Sequence, residues 1–253
     1  MRVHWIGGAT AFLELGPFRV LTDPVLGEGE ALAPLVRLAA LPPFDLVPLD
    51  AVLLSHVHPS HLDAAAVGRL RKDTPVVAPS EHAAFLRARG FTGVVPLGWW
   101  ERAGLARGGV SLRILALPAW HSADPGASLE LGTVNGYLIE HVGGDERRVV
   151  YWTGDTVWFD GLALIRDRAP RIDLLVPHVG AAGAGQPGGR RTFDAVEAAR
   201  LIALVDPLAV VPIHHHTFSH YAEPIEVLRD RLAGGPHADR LHLLREGEAA
   251  VLP

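Results

Sequence analysis

The chain of 253 residues has no cysteine, one lysine (Lys72) and one methionine (Met1). Without cysteine there are no disulfides, and cysteine usage says nothing of the compartment. Nor is a thiolate available to a metal, so any metal site must use histidine, carboxylate and water. No stretch of apolar residues is long enough to cross a bilayer, so no membrane span is expected. The start, from Met1 to Gly8, carries a single charged side chain, Arg2, and Glu14 interrupts the apolar stretch beyond it. That is a poor secretory leader, and a soluble cytoplasmic protein is the default expectation. A net charge of −5 argues against a nucleic-acid or anionic-membrane partner. The basic residues are almost all arginine, which reads as a bias of the source. The pair Arg190-Arg191 therefore carries little weight as a reader of phosphate.

What the chain does have is apolar residues at 49%, 27 glycines and 20 prolines, the composition of a compact, loop-rich domain. Short strand-like runs over 3–6, 10–15 and 19–22, separated by Gly-Gly and Gly-Pro turns, predict an antiparallel meander. Residues 32–48 read as a proline-rich loop or flap. Strands are expected over 51–55, 76–78, 94–96, 110–117, 172–177 and 208–213. Residues 134–140 and 148–153 read as a hairpin across Gly143-Gly144. Helices are expected from 64 to about 71, over 80–89 with Ser80 as cap, over 162–168, over 192–205 with Thr192 as cap, and over 223–232. Two short strands finish the chain, and 180–189 reads as a glycine-rich loop. The expectation is one domain over 1–253, of α/β class, with two sheets packed face to face and helices outside.

Fourteen histidines are present, and three of them fall within six residues: Ser55-His56-Val57-His58-Pro59-Ser60-His61, directly after the apolar run 51–54. Imidazole is the commonest side-chain ligand for first-row divalent metals and is available neutral near pH 7. Two histidines one residue apart at a strand end can reach one ion, and a third just beyond can reach that ion or a neighbour. Other metal-ligating side chains also follow apolar strands: His121, Asp155 after Thr153-Gly154, and His214 after Ile213. Strand ends meeting on one edge are a usual place for a site.

This order, His-x-His-x-x-His, then His, then Gly-Asp, then Pro-x-His, resembles the metallo-β-lactamase-fold hydrolases. Thr22-Asp23-Pro24 and Leu97-Gly98-Trp99-Trp100-Glu101 look like the branch of L-ascorbate-6-phosphate lactonase and the N-acylphosphatidylethanolamine phospholipase D relatives. The likeness runs from about residue 2 to about 232. It implies an αββα four-layer sandwich of mixed sheets and a dinuclear site. His56, His58 and His121 would hold one ion, His61 and His214 the other, and Asp155 would bridge them. A hydroxide on the ions would attack an ester, lactone or phosphodiester of a small molecule. Zinc, manganese or iron suits the donor set, as one or two ions. The chain departs from the family motif at Ser60, where an aspartate is expected. That predicts a weaker second ion. It also leaves open a weakly active or non-catalytic metal-binding or ligand-sensing protein of the same fold, and a nuclease-type phosphodiesterase is a further alternative. Redox chemistry at a di-iron site fits less well, because no flavin domain or additional carboxylate is evident.

The remaining candidates surround this set. Asp23 is a ligand-orienting carboxylate or a turn residue. Ser60 is a helix cap in preference to a ligand, and Asp63 a first-turn residue of that helix. His178, at the end of its strand, is a candidate catalytic proton donor. Trp120 and Trp158, beside His121 and Asp155, are candidates for an aromatic rim. His216 and His220 are pocket candidates. The sequence leaves substrate, metal identity and oligomeric state open.

Overall fold

The computed structural model describes residues 1–253 apart from 33, 34, 47, 170 and 253, and apart from the side chains of 30 and 31. Six strands come first: β1 (Arg2–Gly7), β2 (Thr10–Leu15), β3 (Phe18–Thr22), β4 (Ala51–Leu53), β5 (Val76–Pro79) and β6 (Val94–Leu97). Six more follow: β7 (Arg102–Arg107), β8 (Val110–Ala119), β9 (Val134–Gly143), β10 (Glu146–Trp152), β11 (Leu174–Val176) and β12 (Ala209–Val210). A last strand, β13 (Ala249–Val251), joins the first group. The two sheets have the orders β13-β1-β2-β3-β4-β5-β6 and β12-β11-β10-β9-β8-β7. The helices are α1 (Ala64–Arg69), α2 (Ala83–Ala88), α3 (Pro125–Leu131), α4 (Leu162–Arg168), α5 (Ala195–Val205) and α6 (Ile225–Leu232).

Strand periodicity explains the layering. In β10, Val150 and Trp152 point into the core between the sheets, while Val149 and Tyr151 meet the helices on the other face. In β2, Ala11, Leu13 and Leu15 face inward and Phe12 faces outward. Strands buried on both faces read as continuous apolar runs for this reason. The outer face of the second sheet is covered by α4, α5 and α6, and that of the first by α1 and α2. The result is the expected αββα sandwich. Trp5, Trp152 and Tyr137 lie fully buried in its centre. At ~150–250 Å² each, such a side chain contributes about 4–6 kcal/mol of apolar transfer before entropy is counted.

Most predicted elements occur, with local differences. The meander of β1 to β3 and the β9–β10 hairpin are antiparallel as expected. Asp63, not Ser60, caps α1: its Oδ1 accepts the N–H of Ala66 at 2.7 Å. Asp194, not Thr192, caps α5, and the Thr192 hydroxyl donates instead to the carbonyl of Val179. Ser80 makes no capping bond; a 3-10 turn over Ser80–His82 precedes α2. The predicted flap over 32–48 is irregular where described, pinned by a bridge between Arg37 and Phe218; residues 33, 34 and 47 of it lie outside the described residues. The chain ends in one strand, not two. Strand β7 and helix α3 were not expected.

The topology brings the chemistry to one edge. Strands β3, β4, β5 and β6 run parallel, and so do β10, β11 and β12. Strand β8 is two antiparallel steps from β10, so it runs in the same direction. Asp23, His56, His121, Asp155, His178 and His214 therefore all follow C-terminal strand ends. Two bonds between the sheets fix that edge: the Tyr137 hydroxyl donates to the Leu54 carbonyl at 2.7 Å, and the Asn135 N–H donates to that of Ser55 at 3.0 Å.

Candidate metal centre

The six side chains expected to hold metal converge. His56, His58 and His121 place one ring nitrogen each within 4.8 Å of one another, as do the ligand atoms of His56, His61 and Asp155. The Asp155 carboxylate lies between the two sets. Its Oδ2 is 3.2 Å from His61 Nε2 and 3.5 Å from His121 Nε2, and its Oδ1 is 3.5 Å from His214 Nε2. His61 and His214 are stacked with ring centroids 5.3 Å apart.

A tight turn aims each group. Gly154, at φ 64°, reverses the chain before Asp155; a Cβ there would lie 2.7 Å from the Asn135 carbonyl oxygen. His214 itself has φ 63°, a left-handed conformation that costs of order 1 kcal/mol or more and persists where surroundings enforce it. The enforcing contacts are the Gly8 carbonyl, which accepts the His214 N–H at 2.9 Å, and Gly180, packed against the His214 carbonyl.

Behind this set lies a buried polar layer. The Asp23 carboxylate accepts the N–H and hydroxyl of Ser55, both at 2.7 Å, and sits 3.1 Å from His61 Nδ1. The Ser55 hydroxyl is also 3.0 Å from His56 Nδ1. Asp23 is thus an orienting carboxylate, fixing which His61 nitrogen faces Asp155. Ser55 links it to both histidines and was not singled out from the sequence. The available signal was a small polar residue at a buried strand end.

The histidines differ in protonation. Burial, reinforced by the neighbouring histidines, holds His58 down at about 4 and His56 well below its ordinary value. Burial also lowers His214 strongly, against the pull of Asp155. For His61 burial acts in the same direction, but Asp155 and Asp23 on its two sides outweigh it and raise it to about 10. Burial acts to raise Asp155, but the electrostatic pull of its histidine neighbours and hydrogen bonds from His121 and His61 hold it well below the usual carboxylate range.

The donor set fits a divalent cation. His56 Nε2, Asp155 Oδ1 and His214 Nε2 are buried with no hydrogen-bond partner. Unpaired buried polar atoms are costly, and cations bound among them would satisfy them. Imidazole nitrogens with carboxylate oxygens suit zinc, iron or manganese.

A cavity of about 420 Å³ opens onto the set, walled by His58, Ser60, His121, Asp155, Arg191 and His220, with Leu35, Leu131 and Gln186 among the remainder. Ser60 and His220 are where a pocket residue should be. His178 is not. It is fully buried, with Nε2 3.8 Å from Asp23 and Nδ1 3.2 Å from the Thr153 hydroxyl, and it does not line the cavity. A donor to a leaving group must reach the substrate, so the geometry gives His178 an orienting place instead. His216 points away: its side chain is exposed and pairs with Glu246 at 3.2 Å. Trp120 stacks on Phe159 beside a neighbouring groove, and Trp158 packs under Arg200, so neither forms the expected rim. Asp63 accepts N–H bonds from Leu26, Gly27 and Ala66, which accounts for its burial. Arg191, discounted in the sequence, stands on the cavity wall.

A family model described as the beta-lactamase superfamily domain matches residues 18–215. The chain belongs to that superfamily. It is 31% identical over 218 residues, 86% of each chain, to a UPF0173 metal-dependent hydrolase of Deinococcus radiodurans. It is 30% identical over 252 residues, the whole of both chains, to another of Thermococcus onnurineus. Among solved structures it superposes on the isothiocyanate hydrolase from Delia radicum gut bacteria with a TM-score of 0.85 and 26% identity, covering 100% of this chain and 99% of that one. This is a metal-dependent hydrolase of the metallo-β-lactamase superfamily.

Proposed function

We propose that this chain hydrolyses a small electrophilic substrate held in the cavity over His56, His58, His61, His121, Asp155 and His214. The substrate is an ester or lactone, or the carbon of an isothiocyanate, with a phosphodiester as the less favoured class. The observation that carries this reading is the convergence of buried, unpaired ring nitrogens and a carboxylate oxygen beside a cavity that His58, His121 and Asp155 line. His56, His58 and His121 would hold one ion, His61 and His214 a second, with Asp155 reaching both. Ions there would acidify a bound water and stabilise charge developing on the attacked centre.

The protein's own groups do the rest. Asp23 and Ser55 orient His61 and His56 from behind. Leu35 and Leu131 give the cavity an apolar wall that limits water. His220, whose ring is 6.1 Å from that of His214, is the wall imidazole able to hydrogen-bond a leaving group. A carbon electrophile is favoured over phosphorus by the isothiocyanate hydrolase, the likeness with the same full-length coverage. The sequence resemblance, to lactonase and phospholipase D relatives alike, leaves both centres open. The cavity suits a small molecule and not a long nucleic acid.

Ser60 favours a second reading, a metal-binding protein with little turnover. One experiment separates the two. The purified protein is analysed for metal, loaded with zinc, manganese or iron, and assayed on esters, lactones, isothiocyanates and phosphodiesters. Turnover that chelation abolishes is expected. Full metal content with no hydrolysis of any class would establish the second reading.

A further inference from the structure

Arg190 and Arg191 are adjacent, yet their fates differ. Arg190 is committed: its guanidinium reaches Asp194 at 2.7 Å and both oxygens of Glu197 at 2.8–2.9 Å. Arg191 turns the other way, onto the cavity wall. Its side chain makes no ion pair or hydrogen bond among the described residues, and its Nε is buried without a partner. The carboxylate that shares the cavity, Asp155, is already taken by His61, His121 and His214.

The position is built. The Arg191 N–H donates to the Ala182 carbonyl at 2.8 Å, and the next residue's buried hydroxyl ties Ala182 to Val179. The aliphatic stem lies across Gly183, where a Cβ would meet Arg191 Cγ at 3.1 Å. At φ 82°, Gly183 also holds a backbone conformation that other residues rarely adopt. The stem is therefore held against Gly183 while its charged end is left facing the cavity. The guanidinium is half-buried with no counter-ion among the described residues, and its planar fork matches an oxyanion.

We infer that Arg191 forms an anion subsite that selects substrates carrying a carboxylate or phosphate-type group away from the bond that is broken. Gln186, on the same wall, supplies an amide to the same anion. This rests on the hydrolase reading and narrows it to anionic small molecules.

The test uses three phenyl esters and the metal-loaded protein: monophenyl succinate, phenyl 3-phosphonopropanoate and neutral phenyl butyrate. The wild type is expected to prefer an anionic ester. In Arg191→Met the ratio of kcat/KM for that ester over phenyl butyrate falls about 10–100-fold, the worth of a charge-assisted bond, and the loss lies in KM. Arg191→Lys recovers part of it, because a point charge remains without the fork. Which anionic arm loses more separates carboxylate from phosphate recognition. A ratio that Arg191→Met leaves in place overturns the inference. If the wild type hydrolyses none of the three, the hydrolase reading for these esters fails, and calorimetric binding of the same compounds decides Arg191 alone. Tighter binding of an anionic ester that Arg191→Met abolishes supports the subsite; equal binding of charged and neutral esters contradicts it. Thermal melting confirms that the variants fold.

Discussion

His56 and His61 lie with ring centroids 4.0 Å apart, in the same buried layer, yet their surroundings push their pKa values in opposite directions. His56 belongs with His58 and His121, and it also shares a set with His61 and Asp155, but it touches neither carboxylate as His61 does. Burial and mutual repulsion keep His56 and His58 neutral, with the lone pairs that a cation needs already free. His61 lies between Asp23 at 3.1 Å and Asp155 at 3.2 Å, and the two carboxylates hold its proton. Burial alone does not set the protonation of a histidine; the nearest charge decides. For metal binding the difference is practical. An ion entering the first group meets vacant nitrogens, whereas one entering at His61 must displace a proton.

Asp155→Ala breaks the comparison most severely, because that carboxylate touches both groups. Turnover is expected to fall to background and both ions to be lost on dialysis, measured by hydrolysis and elemental analysis. Retention of either property would remove Asp155 from its bridging place. Asp23→Asn acts directly on His61 and reaches His56 only through Ser55. It removes the carboxylate that orients His61, and affinity for the second ion should drop about 10–100-fold, as for other orienting partners of ligand histidines. The first ion should be little affected. Competition with a chelator reads both, and an equal loss at the two sites would show that the groups are not separable.

Ser60→Asp narrows the difference from the other side. The residue lines the cavity beside His58, so a carboxylate there adds a donor toward the second ion. Retention of that ion should rise about tenfold, or ~1.4 kcal/mol. No change would mean that the serine does not limit binding of a second ion. The smallest effect is a proton count. At pH 6, His58 at about 4 is deprotonated and His61 at about 10 is protonated. The first ion should release no proton from His56 or His58, and the second should release the one on His61. Because a raised pKa means the proton is held until pH passes it, second-ion affinity should climb with pH throughout the neutral range. Calorimetry in two buffers of different ionisation enthalpy measures the count.

The sequence made the floor of the site legible and its wall obscure, for identifiable reasons. Each expected ligand follows a buried strand, and apolar runs mark buried strands well. The parallel pairing that brings those ends together follows from the fold. Orientation beyond the strand end is another matter. His178 and His216 neighbour the right elements, but one turns toward Asp23 and the other toward Glu246. Strand β7 escaped notice because four of its six residues, Arg102, Gly104, Ala106 and Arg107, are exposed, and the other two are only half buried. Helix α3 is short and carries a glycine, although Asp124 before Pro125 was a start signal. The helix caps were misplaced by two or three residues because serine and threonine compete with a nearby aspartate for the same N–H groups. Arg191 was set aside as half of a pair. Only the fold shows that Asp194 and Glu197 occupy Arg190 and leave its neighbour facing the cavity.

The central claim is that His61 holds a proton that His56 and His58 lack before any ion arrives. Side-chain nitrogen NMR of the metal-free protein, titrated from pH 5 to pH 9, tests it directly. His61 is predicted to remain doubly protonated across the range while His56 and His58 show neutral rings. If His61 instead titrates near the ordinary value of about 6.5, together with the others, the contrast between the two groups does not exist.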